Sequence, residues 1–153
     1  MPSAAPRGPL GVDVNPSSGR VTLRVVSAEI RRGDAWLLVQ RSPHAVLPLL
    51  WEFPGGRVRE GETDRDSLMR SLAYRIGVVP VVGERILEVR HDYDEYSVVL
   101  AVYRCEVGGD EPVARTVHAI AWVHPDDFED YPFPPADQKT VDALLRDRDT
   151  TDA

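Results

Sequence analysis

Cysteine is almost absent: Cys105 stands alone in 153 residues, so the chain can build neither an internal disulfide nor a multi-thiolate metal site. It lies in the apolar run Val98 to Cys105, where a small buried hydrophobe is its ordinary role. Long hydrophobic runs are missing too. Nothing approaches the roughly 20 apolar residues of a membrane span, and the amino-terminal stretch has no apolar core of a secretory signal. The expectation is therefore a cytoplasmic protein with no membrane partner. Basic residues are outnumbered, 18 Lys and Arg against 25 Asp and Glu, for a formal charge of -7. Adhesion to a nucleic-acid backbone needs a basic surface, so general nucleic-acid binding is excluded, whereas a localised anion site is not.

What is present is the composition of a soluble globular protein, 42% apolar and 28% charged, of a length that suits one core rather than two. Residues 1–20 place Pro2, Pro6, Pro9 and Pro16 among Gly, Ser and Ala, which removes donors and offers little to bury; a flexible leader is expected. Residues 147–153 are polar and charged apart from a terminal Ala, and a fraying, disordered tail is expected there. One domain over residues 21–146 lies between.

Val26, Ala28 and Ile30 alternate with Ser27 and Glu29, Arg32 to Asp34 supply turn chemistry, and Ala35 to Val39 is a short apolar run. This pattern predicts a hairpin. A second extended pair is expected at Ile86–Val89 and Ser97–Cys105, across the polar stretch His91–Glu95, with a further strand at Ala119–Val123. One helix is expected from Thr63, with Asp66 three residues on, Leu68, Leu72 and Ile76 every fourth residue, and Gly77 as its stop. Another is expected from about Gln138 to Arg146, with Val141, Leu144 and Leu145 on one stripe. Strands and two helices out of strict alternation argue α+β.

The segment Trp51 to Val79 reads WEFPGGRVREGETDRDSLMRSLAYRIGVV. It resembles the signature of the Nudix family, and within it the MutT-like nucleoside triphosphate pyrophosphohydrolases. That signature is Gly, five residues, Glu, seven residues, then Arg-Glu-apolar-any-Glu-Glu-any-Gly-apolar. Gly56, Glu62, Arg70, Leu72, Gly77 and Val78 fall in place, six of nine specified positions. The three that differ are all carboxylates in the family: Ser71, Tyr74 and Arg75 stand there instead. Spaced i, i+3 and i+4, they share one edge of the helix. In the family that edge holds divalent metal, because hard cations need clustered oxygen ligands. Three glutamates carry -3 and this trio +1, a local change of four units. The family's distal glutamate, counted six residues before Trp122, falls on Thr116.

The resemblance spans roughly residues 21–146 and implies the Nudix fold, a mixed β-sheet sandwiched between helices (α/β/α). It implies further roles. Leu37 to Arg41 resembles the strand whose arginine approaches substrate phosphates, which makes Arg41 a candidate phosphate contact. Arg57, beside Gly55 and Gly56, matches a basic position near the phosphates. Tyr131 to Asp137 reads YPFPPAD and resembles the phrase whose last residue reads the base; Asp137 is the match, and Phe133 is expected to pack nearby. Arg75 binds phosphate where metal once bridged it, or pairs with Glu62 or another acid; both stay open at this stage. Glu62 is expected to accept backbone hydrogen bonds near the helix start. Trp51, Phe53 and Trp122 are read as packing, Tyr74 as filling the old metal pocket, and His91 as a solvated loop residue.

The leading expectation is a catalytically impaired Nudix-fold protein that recognises a nucleotide or another small phosphate-bearing ligand through Arg41, Arg57, Arg75, Phe133 and Asp137. It has no catalytic or metal-ligating residue and no expected cofactor. One alternative is a working pyrophosphohydrolase on ordinary or damaged (d)NTPs that recruits Glu60, Asp64 or Asp66 for magnesium or manganese. A module that binds other proteins, with partner unknown, is the third.

Overall fold

The computed structural model describes residues 7–8, 12–14 and 20–152, with side chains described over 20–146. The described strands are β1 (Arg7–Gly8), β2 (Val12–Val14), β3 (Val21–Arg32), β4 (Ala35–Gln40), β5 (Trp51–Glu52), β6 (Gly55–Arg57), β7 (Val81–Asp92), β8 (Tyr96–Glu106) and β9 (Ala119–Val123). Helix α1 is Asp64–Ile76 and α2 is Pro135–Asp152, with a 3-10 turn at Pro125–Asp130 between β9 and α2.

β3 organises the sheet. Its alternation puts Val26, Ala28 and Ile30 on one face and Ser27 and Glu29 on the other. It turns into β4 at Arg31↔Trp36. It also runs parallel to β8 from Val21↔Tyr96 to Ile30↔Cys105, and β7 returns antiparallel on the other side of β8. β9 lies along β4, Trp36↔Val123 to Gln40↔Ala119. The sheet is thus mixed.

Each face carries its own core. On one, Val26, Ala28, Ile30, Leu37 and Val39 meet Leu68, Leu72 and Ile76 of α1. On the other, Trp36, Leu38, Phe53 and Val123 meet Phe128 and, from α2, Val141 and Leu144. Neighbours on β4 therefore point to opposite helices, which is the α/β/α sandwich. Full burial of each α1 anchor contributes about 1.5–3 kcal/mol, so this three-residue stripe fixes which side of α1 faces the sheet. Cys105 is buried in the α1-side core, and burial pushes its thiol up to about 11.

Both ends of α1 are as expected. Thr63 is its N-cap, with the side chain accepting from the Asp66 N–H at 3.1 Å; Gly77 closes it at φ 72°, donating to the Ala73 carbonyl. Helix α2 starts three residues before Gln138, because Pro135 suits a first helical position, where its φ is preset and no N–H is needed. It also runs through Asp152, since no Gly or Pro follows Arg146 to stop it. Within the expected leader, Val12–Val14 pairs with Val21–Leu23 and Arg7–Gly8 pairs back on β2. The rest of that leader, and Ala153, lie outside the described residues.

Candidate ligand cleft

The cleft is built where β6 is pressed between β3 and α1. A Cβ on Gly55 would stand 1.9 Å from the Val26 carbonyl oxygen, and one on Gly56 would stand 2.5 Å from Ser71 Oγ and 3.6 Å from Arg75 Nε. The paired glycines are therefore the condition for close approach. The connection into α1 is tied from both ends. Ser67 Oγ and an Arg70 Nη both donate to the Arg57 carbonyl at 3.0 Å. Arg70 also grips Glu62 at 2.6 and 2.9 Å, and Glu62 accepts from the Arg59 N–H at 2.7 Å. The Arg70 hydrogen bond is the main cause that holds the Glu62 carboxyl below its ordinary range. Glu62 thus has the scaffold role read from the sequence, and Arg70, not Arg75, is its partner.

The cleft has a volume of about 680 Å³, and Arg41, Arg57, Arg75 and Asp137 all line it. Arg41 donates through Nη1 to Glu52 at 2.9 Å and through Nε to the Val46 carbonyl at 2.8 Å. The loop it holds carries Leu47 at φ 55° and Leu49 at φ 63°, a left-handed conformation that costs non-glycine residues about 1–2 kcal/mol each. Backbone bonds Arg41 N–H to Leu50 O and Leu49 N–H to Arg41 O offset that strain at the base of the loop. Asp137, in the first turn of α2, is 9% exposed. Burial first, then the negative charge of Glu52, raises its carboxyl well above the ordinary value, with Arg41 opposing.

Tyr93 and Tyr96, stacked at 5.0 Å, form part of the wall, and the Tyr93 hydroxyl accepts from the Ala136 N–H at 3.3 Å. Phe133 does not line the cleft; its ring packs on Phe53 at 6.3 Å and Phe128 at 5.7 Å. His91 lies at the end of β7 with its ring edge-on to Tyr93. The sequence reading missed Glu52, Tyr93 and Tyr96. Glu52 has no spacing signature, and the tyrosines reach the wall only through the parallel pairing of β8 with β3.

The α1 edge that resembles a metal site has an unsuitable donor set. Ser71 is 1% exposed and sealed beneath Gly56, whereas Tyr74 is 66% exposed, so it does not fill a pocket. Arg75 is half-buried and lines the cleft. Its carbonyl accepts from the N–H groups of Arg115 and Thr116 at 3.0 and 3.1 Å, which brings Thr116 to the same cleft. Among the described residues neither Arg57 nor Arg75 has a carboxylate partner. Of the acids read as substitutes, Asp64 is occupied. Asp64 accepts from Arg24 at 2.8 and 2.6 Å and from the Tyr103 hydroxyl at 2.6 Å. The Arg24 hydrogen bond chiefly holds it below its ordinary value. Among the described residues no group of three or more His, Cys, Asp or Glu is placed to hold a metal ion. A divalent cation does not fit this edge.

The cleft thus lies between β6, α1 and the start of α2, on a mixed sheet covered by helices on both faces. The NUDIX domain model matches residues 25–143, and the chain belongs to the Nudix family. A Mycobacterium tuberculosis protein named as a candidate 8-oxo-dGTP diphosphatase 2 is 35% identical over 129 residues, 80% of this chain and 87% of that protein. The CTP pyrophosphohydrolase of Escherichia coli is 29% identical over 123 residues, 80% and 91% of the two chains. The solution structure of the E. coli ORF135 protein superposes with a TM-score of 0.73 at 29% identity, covering 88% of this chain and 96% of that one. The first two are named for a nucleotide diphosphatase and a nucleotide pyrophosphohydrolase, and the three together fix the fold and the family.

Proposed function

We propose that this Nudix-family protein recognises a nucleotide in the cleft but is impaired in metal-dependent pyrophosphohydrolysis. The observation that carries this reading is Arg75. At a position where the resemblance implies a metal-ligating glutamate, a guanidinium without a carboxylate partner among the described residues faces the same cleft as Arg57. Family chemistry uses cations to neutralise the charge that develops on a phosphoanhydride, and a carboxylate to position water. Two unit charges 4 Å apart interact by about 4 kcal/mol at an intermediate dielectric. Arg75 therefore repels a divalent ion from its edge as strongly as it attracts phosphate.

Recognition falls to the two ends of the cleft. Arg57 and Arg75 serve phosphate oxygens, for which the guanidinium fork is suited. Asp137 serves the base. Its burial favours the protonated carboxyl, which donates through O–H and accepts through C=O, and so fits a base edge with a donor beside an acceptor. Arg41 orients Glu52 and the 42–49 loop beside it.

The names of the relatives favour a second reading, an active pyrophosphohydrolase that uses other acids. A panel of ordinary and oxidised (d)NTPs, incubated with magnesium or manganese and read by phosphate or pyrophosphate release, separates the two. The proposal expects saturable binding with turnover at background. Turnover that is lost in Glu60→Gln would establish the second reading.

A further inference from the structure

We infer that the phosphate end of the cleft takes a single dianionic phosphate without a metal ion, as in a nucleoside 5'-monophosphate, and that divalent cations on the ligand weaken its binding. The inference rests on the nucleotide reading above and names the ligand class for that site.

The donors available at this end are few. Arg57 and Arg75 bring two positive charges. Ser71 Oγ lies sealed under Gly56. The backbone N–H groups of Arg115 and Thr116 are both spent on the Arg75 carbonyl and form no anion nest. Arg41 is engaged by Glu52 and by the Val46 carbonyl. What remains is two guanidiniums and the exposed Thr116, and two guanidiniums match the charge of about -1.5 to -2 on one phosphate monoester.

A triphosphate demands more positive charge than this end holds. Glu52 lines the same cleft, and the whole chain is at -7, so surplus negative charge on a ligand meets repulsion there. In the wider family that surplus is neutralised by metal. Here a magnesium ion carried in on a triphosphate faces Arg75 with no carboxylate edge to receive it.

Calorimetric titration of the full chain tests the inference, with each nucleoside 5'-monophosphate, its triphosphate and the free nucleoside, in EDTA and in millimolar magnesium. The expected result is a monophosphate that binds at least as tightly as its triphosphate in EDTA, with affinity that magnesium leaves unchanged or lowers. Arg75→Gln and, separately, Arg57→Gln are expected to cut monophosphate affinity by about tenfold each, the value of one lost charge-assisted contact, while nucleoside binding is retained. Thermal melts of both variants verify that they fold. A triphosphate that binds tightest, and only with magnesium, would overturn this inference and leave nucleotide recognition standing. Absence of binding by every nucleotide in either buffer would overturn the recognition reading itself.

Discussion

At the scale of single residues, Asp137 has the clearest physical consequence. Burial and the neighbouring Glu52 raise its carboxyl well above the ordinary value, with Arg41 opposing. In the unfolded chain the same group titrates at about 3.9. Below that value both states hold the proton and nothing is lost. As pH rises through it, the unfolded state releases its proton first, so native stability falls until the folded value is passed. Asp137→Asn has no proton to lose and keeps the Glu52–Arg41 pair. Urea unfolding across a pH series should show variant and wild type alike in acid, with the variant gaining as pH rises. A difference that stays flat with pH would mean that solvent, not burial, surrounds this carboxyl. The place of Asp137 beside the cleft was suggested by the phrase YPFPPAD, but the rise in its titration was not, because it comes from burial and then from Glu52, on a two-residue strand with no periodicity to announce it.

At the scale of elements, α1 and β6 show opposite degrees of legibility. The stripe Leu68, Leu72 and Ile76, four residues apart, and the caps Thr63 and Gly77 defined α1 in advance, because those signals are local and each names its own partner. The seat of β6 is set by a contact across 28 residues, Ser27↔Gly55, and three residues carry no alternation to read. What the sequence did show was the Gly55–Gly56 pair, and the structure explains it by proximity. Gly55→Ala would place a methyl 1.9 Å from the Val26 carbonyl, where the intruding neighbour is backbone and unable to rotate away. We expect a loss of about 3 kcal/mol or more, at the upper end of overpacking costs, read by denaturant midpoint. Gly33→Ala meets nothing within 4 Å and should cost only the penalty of its positive φ, about 1–2 kcal/mol. Equal losses at the two sites would show that β6 is not clamped against β3.

At the scale of the molecule, the layer order was available from the hydrophobic pattern together with the family resemblance, but the path of the sheet was not. The parallel pairing of β3 with β8 joins Val21 to Tyr96, and no local signal encodes a partner 75 residues away. β3 also pairs with β4 and β6, and Arg41 just after β4, Arg57 of β6 and Arg75 of α1 meet at one cleft of a chain whose sum is -7. At physiological ionic strength the Debye length is about 8 Å, so a long polyanion samples the net negative surface while a small one samples the cleft. Duplex DNA presents one charge per roughly 1.7 Å of axis, far more than two unpaired guanidiniums can match. Fluorescence anisotropy with a labelled duplex at about 150 mM salt should therefore show no saturable binding at micromolar protein. A small phosphate ligand that binds in the cleft should lose only modest affinity as salt is raised, because it displaces few counterions. Tight duplex binding with a steep salt slope would show that the arginines form a continuous basic track across the surface, and the confinement of positive charge to one cleft would then be wrong.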